Sequence, residues 1–129
     1  TYPVQNLAKD LAPAVVAVGR VKFYGRQSPQ ALSTAENVAP GEPVGQTLKE
    51  IRNNTKHVEE CGGRMPHITL LVVSERDIGN REAVYRTMGE YIRGIHPVCT
   101  GLVVVALARP EWLVEIDATG VIPDGEEEE

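Results

Sequence analysis

The stretch His96-Pro97-Val98-Cys99-Thr100-Gly101-Leu102-Val103-Val104-Val105-Ala106-Leu107, followed after Arg109-Pro110-Glu111 by Leu113-Val114-Glu115-Ile116-Asp117-Ala118-Thr119-Gly120-Val121-Ile122, decides how this chain folds. Its first half is a β-branched, apolar run, predicting a strand over Thr100 to Ala106. Its second half alternates apolar and polar residues and predicts a strand over Leu113 to Ile122. Arg109-Pro110-Glu111 turns the chain between them. Alternation places Glu115 and Asp117 on one face of the last strand, with Val114 and Ile116 on the other.

Working outward, His67-Ile68-Thr69-Leu70-Leu71-Val72-Val73 is a further β-branched run, apolar at nearly every position, which predicts a strand covered on both faces. Two helical patterns flank it. Val44, Leu48, Ile51, Thr55 and Val58 recur at steps of three, four and seven, and Gly62-Gly63 with Pro66 stops the helix. Val84, Tyr85, Met88, Tyr91 and Ile92 predict a second helix over Arg81 to Arg93, ended by Gly94. Near the start, Val15 to Val18 and Val21 to Tyr24 are short β-branched runs around Gly19-Arg20, which reads as a hairpin. Pro29 to Pro43 reads as a loop with room for one short strand.

The order of strands, helix, strand, helix and two strands predicts an α+β fold. Its form is a two-layer sandwich of a mixed six-stranded sheet with two helices on one face. Residues 1–123 form a single expected domain and 124–129 an acidic tail. Helices on one face leave apolar side chains on the other, and self-association through that open face is the natural cover.

Composition narrows the function classes. Of 129 residues, 42% are hydrophobic and only 5% aromatic, so the core is aliphatic and broad base-stacking platforms are not expected. The formal net charge of -5 is concentrated in Glu126 to Glu129, and no basic face for nucleic acid is evident. Two cysteines, Cys61 and Cys99, make no disulfide framework and suit a reduced, cytoplasmic setting. The first residues show no basic segment leading into an apolar one, and no apolar run is long enough to span a membrane.

Several of these segments together resemble the RidA/YjgF family of reactive-intermediate enamine/imine deaminases. The resemblance runs from Gly25, Gln27 and Pro29 after the second strand, through Gln46-Thr47, Asn53 and Cys61-Gly62-Gly63 along the first helix, and Val84-Tyr85 in the second. It ends in Pro97-x-Cys99-Thr100 and Val114-Glu115-Ile116-Asp117-Ala118, so it covers Pro13 to Pro123. It implies a chorismate-mutase-like, RidA-type fold and a homotrimer with clefts between subunits. It also implies a small imino or enamino acid substrate hydrolysed to a keto acid and ammonia without metal or organic cofactor. In the family an arginine grips the substrate carboxylate and a glutamate, here Glu115, positions water. Cys99 stands where the arginine is expected, Glu82 where an asparagine is, and Leu11 or Ala12 where a tyrosine is. A thiol cannot form the bidentate pair that guanidinium makes with carboxylate. Arg26, Arg93 and Arg109 are the candidate replacement cations.

The candidate catalytic residues are therefore Glu115 and Cys99, and the candidate substrate-binding residues Tyr24, Gly25, Thr100, Gly101 and Arg93. Cys99 is either a nucleophile or a small pocket-wall side chain. The second reading is favoured because no base partner for it is identifiable in the sequence. His57, Cys61, His67 and Cys99 lack the paired spacing of a zinc site, so no metal is assigned. Two functions follow: a cofactor-free hydrolase or deaminase of altered substrate, or a trimer that binds a small metabolite without turnover. The acidic, aromatic-poor chain argues against ribonuclease activity.

Overall fold

The computed structural model describes residues 11–34 and 36–124. Residues 125–129 of the expected acidic tail lie outside this range. Four strands and two helices follow in the order β1 (Val21–Gln27), α1 (Pro43–Glu60), β2 (Ile68–Glu75), α2 (Arg81–Gly89), β3 (Val98–Val103) and β4 (Val114–Ile122). They form one mixed sheet of order β1-β4-β2-β3. β4 pairs antiparallel with both β1 and β2, and β2 pairs parallel with β3. The parallel pair requires a crossover, and α2 supplies it.

Helix α1 begins with Pro43, whose fixed φ suits a first turn and whose missing N–H leaves no donor unmet. At its other end Gly63 N–H donates to the carbonyl of Val58 and Gly62 N–H to that of Glu59, with Gly62 at φ 92°. This double closure needs a left-handed residue, which the glycine provides. Both helices pack on one sheet face. Phe23, Leu71, Val73, Val114, Ile116 and Ala118 meet Ile51, Val58, Val84, Tyr85, Met88 and Ile92 there. Burial of this largely aliphatic set, with the rings of Phe23 and Tyr85, is the main stabilising term.

The strand count differs from the six expected. Among the described residues four strands form, because Val15 to Val18 finds no ladder partner. The segment instead runs past the ends of β2 and β4, facing His67, Ile68 and Val121 across a cavity of about 230 Å³. The hairpin at Gly19-Arg20 is thus absent, and the loop strand reduces to one bridge between Gln30 and Asn37. α2 stops at Gly89 rather than Arg93, and a series of turns then carries Ile92, 1% exposed, into the core. β3 spans Val98–Val103, starting and ending earlier than Thr100 to Ala106. β2 is covered on one face only: Leu71, Val73 and Glu75 are buried while Leu70, Val72 and Ser74 are partly open.

The α1 stripe also differs. Ile51 and Val58 are buried as expected, but Val44 is 43% exposed. Gln46, Thr47, Glu50, Asn53 and Asn54 take the buried positions instead.

Candidate functional site

Pairing registers assign each candidate residue to a face. Leu71 lies beside Cys99 on one side and Ala118 on the other, so Cys99 faces the helices. Ser74 lies beside Glu115, which places Glu115 on the open face. Tyr24 opposite Thr119, Arg26 opposite Asp117, and Thr100 beside Val72 share that open face. Gly25 and Gly101 fall on the helix face, beside Ala118 and Val73. The sheet itself therefore separates Cys99 and Glu115. Arg93 is exposed in the turns after α2.

On the open face, Arg26 Nε stands 3.3 Å from Glu115 Oε2 and 3.5 Å from Asp117 Oδ1. The Glu115 side chain is 17% exposed and that of Arg26 75%. Burial raises the Glu115 carboxyl above its ordinary value, Asp117 raises it further, and Arg26 pulls it back. A carboxyl shifted upward is a stronger base, better suited to taking a proton from water near neutral pH. Beside this group an open groove of about 420 Å³ is lined by Tyr24, Arg26, Asp117 and Thr119, with Gly25 and Ala118 as its floor.

On the helix face Cys99 sits among Tyr85, Arg81 and Glu75. Burial pushes its thiol up, while the Tyr85 hydroxyl, hydrogen-bonded to it, and Arg81 oppose that. Arg81 stacks over the Tyr85 ring at 4.8 Å. A side chain at position 101 would collide with Tyr85: a Cβ there would lie 2.0 Å from its hydroxyl oxygen. Burial raises Glu75 to about 6, against the pull of Arg81. A thiol held protonated in packed surroundings is a poor nucleophile.

Beneath the floor of the groove lies a buried polar layer on α1. Gln46 spans Ala39 O, Glu111 O and Leu113 N–H, and Asn54 donates to Ile116 O. Glu50 is fully buried, and neither carboxyl oxygen has a hydrogen-bond partner among the described residues. Burial, then the charges of Glu115 and Asp117, push it to about 10, so it is a neutral acid at pH 7. Gln46, Glu50, Asn54 and Val58 are spaced four apart. The polar members Gln46, Glu50 and Asn54, in helical step with the buried Val58, mark this layer in the sequence.

Of the other candidate cations, Arg109 stacks on Trp112 at 5.8 Å. Glu82 pairs with Arg86 on the α2 surface. Among the described residues no three His, Cys, Asp or Glu side chains converge as a metal site, and no helix is long and apolar enough to cross a membrane.

No protein-family model matches this chain, and no curated protein matches it. Solved structures do. YyfB from Yersinia pestis, described as a conserved Rid-family protein of unknown function, superposes with a TM-score of 0.81 at 22% identity, covering 95% of this chain and 92% of that one. NMB1025 from Neisseria meningitidis, of the YjgF protein family, gives 0.70 at 24% identity over 81% and 82% of the two chains. TdcF from E. coli, solved with bound serine, gives 0.70 at 18% identity over 87% and 94%. The chain has the fold of the Rid/YjgF proteins.

Proposed function

We propose that this chain is a divergent member of the RidA/YjgF family. In this reading it is a cofactor-free hydrolase or deaminase acting on a small enamine, imine or related metabolite. Glu115 holds and deprotonates the attacking water, which adds to the imine carbon; the carbon–nitrogen bond then breaks, releasing a carbonyl product and ammonia. The observation that carries this reading is the partly buried Glu115 carboxyl on the open face, raised by burial and tethered by Arg26. Tyr24 and Arg26 wall the adjoining groove, with Gly25 in its floor. Thr100, also on the open face, extends the surface toward β3, and Cys99 and Gly101 shape the layer behind it. Arg93 contributes from the turns after α2.

The working form is a cytoplasmic homotrimer, in which the open face of one subunit is covered by its neighbours and clefts form between them. Exposed Tyr24 and Leu102 on that face, at 70% and 46%, favour such a cover. The structure of TdcF with bound serine supports a site of small-metabolite size.

A second reading, a trimer that binds a metabolite without turning it over, draws on the placement of Cys99. It faces away from Glu115, so the position of the family arginine supplies nothing to the open face. One experiment separates the two: generate 2-aminoacrylate in solution and follow keto-acid and ammonia release with the wild type and Glu115→Ala. Acceleration lost in the variant supports the hydrolase. A rate equal to the spontaneous one across a panel of enamines and imines sinks it.

A further inference from the structure

The segment Val15 to Val18 borders a cavity of about 230 Å³ at the end of the sheet remote from Glu115. Glu115 lies beside Ser74, near the C-terminal end of β2, whereas the cavity takes Ile68 at its start. At ~3.3 Å per residue the two places are about 20 Å apart. The cavity has apolar walls in Val15, Val16, Ile68 and Val121, and two imidazoles, His67 and His96, border it. Among the described residues, no carboxylate, lysine or arginine side chain lines it.

His67 is fixed in one orientation. Its Nδ1 accepts from the Arg64 backbone N–H at 3.0 Å. Two glycines leave room for this placement. A Cβ at position 63 would stand 3.2 Å from Nδ1, and one at position 120 would stand 2.7 Å from the His67 carbonyl oxygen. A ring nitrogen that accepts carries no proton, so in the neutral ring the proton sits on Nε2. Nε2 is shut off from water and has no hydrogen-bond partner among the described residues. A buried N–H without an acceptor is costly, so an acceptor brought to it relieves that cost.

The wall formed by Val15 to Val18 is held only at its ends. Ala12 N–H donates to Pro97 O on one side. On the other, Arg20 is tied to Asp124 by its backbone N–H at 3.2 Å and its Nε at 3.3 Å. Between these ties the amides of Val15 to Val18 donate to nothing among the described residues, and Val16 is 92% exposed. The wall can therefore shift to admit a ligand, and its amides are further donors. Donors without acceptors, and no side-chain carboxylate to compete, favour an anionic head over an ammonium. The volume holds about seven or eight groups of water size, at ~30 Å³ each.

We infer that this cavity binds a short branched carboxylate of about five or six carbons. Its carboxylate accepts from His67 Nε2–H, and its alkyl body lies against Val15, Ile68 and Val121. The site is separate from the Glu115 groove and does not rest on the hydrolase reading.

Three probes that share one body and differ in head test it: isovalerate, isovaleramide and isopentylamine. Each is titrated near neutral pH into the labelled full chain and followed by amide resonances and the His67 ring N–H. Isovalerate is expected to shift Val16, Val18, His67 and Val121 saturably, with a Kd on the order of 1 mM. It should bind about fivefold or more tighter than the amide or the amine. His67→Asn keeps an acceptor for the Arg64 N–H and removes Nε2, so it should lose that preference while amide dispersion shows an intact fold. Val121→Phe fills the cavity and leaves the Arg64 tie alone, so it should abolish binding. Isovalerate binding no tighter than the other two probes overturns the site, as does undiminished binding by both variants. Shifts confined to Tyr24, Arg26 and Asp117, or no saturable shift up to about 50 mM, overturn it equally.

Discussion

Arg26 Nε lies 3.3 Å from Glu115 Oε2 while Arg26 itself sits in register with Asp117 across β1 and β4, so one guanidinium serves two carboxylates. Burial and Asp117 push the Glu115 carboxyl up and Arg26 holds it down. Removing either neighbour should therefore move its titration in opposite directions. Arg26→Gln should shift the acid limb of the pH profile of kcat/KM to higher pH, and Asp117→Asn to lower pH. Carboxyl resonances of Glu115 report the same midpoint without activity. Unchanged midpoints in both variants would show that Glu115 does not feel the pair.

Glu115 and Cys99 should respond differently to substitution. Glu115→Gln keeps the shape and removes the base, so turnover should fall roughly 10²–10⁴-fold. Cys99→Ser should lose less than about tenfold, because the thiol faces Tyr85 and is held protonated by burial. Iodoacetamide at neutral pH should accordingly label Cys61, which is exposed at the end of α1, well before Cys99. Mass spectrometry of tryptic peptides reads the order. Faster labelling at Cys99 would revive it as a nucleophile.

The strands and helices that hold the core were legible because their apolar periods are strong. β4 shows strict alternation, and Gly62-Gly63 ends α1 by the backbone geometry that glycine permits. The Val15 to Val18 run was misread because β-branched composition records compatibility with a ladder, not the presence of a partner strand. The face of Glu115 was legible from alternation. That of Cys99 was not, since a run apolar at nearly every position carries no period from which to tell inside from outside. Glu50 and Asn54 were missed for a related reason: polar residues on a helix are read as solvated by default, and only their step of four to Val58 pointed inward.

Glu50 makes stability depend on pH. Its carboxyl titrates near 10 in the folded chain, against an ordinary 4.5. Between those values the folded state keeps a proton that the unfolded state releases. Stability from this group is thus complete below about pH 4.5 and is lost progressively as pH rises toward 10. Glu50→Gln keeps an uncharged side chain of the same shape and abolishes that loss. It should melt close to the wild type at pH 4.5 and higher at pH 8, by an amount on the order of a few kcal/mol. Thermal unfolding at the two pH values checks it. An identical difference at both would mean that Glu50 is ionised in the folded chain.

The open sheet face supplies the last test. Leu102 lies on it beside Ser74 and is 46% exposed, on the strand that forms one edge of the sheet. In a trimer that covers this face, Leu102→Glu would bury a charge against a neighbour, which costs more than the lost apolar contact. In a monomer the same change adds a solvated carboxylate to an exposed site and alters stability by less than about 0.5 kcal/mol. Light scattering should therefore give three times the 14.1 kDa chain mass for the wild type and a lower value for Leu102→Glu, with far-ultraviolet circular dichroism unchanged. A wild type that runs as a monomer at micromolar concentration would remove the intersubunit cleft from the proposed site, leaving Glu115 and the Tyr24 groove to act within one chain.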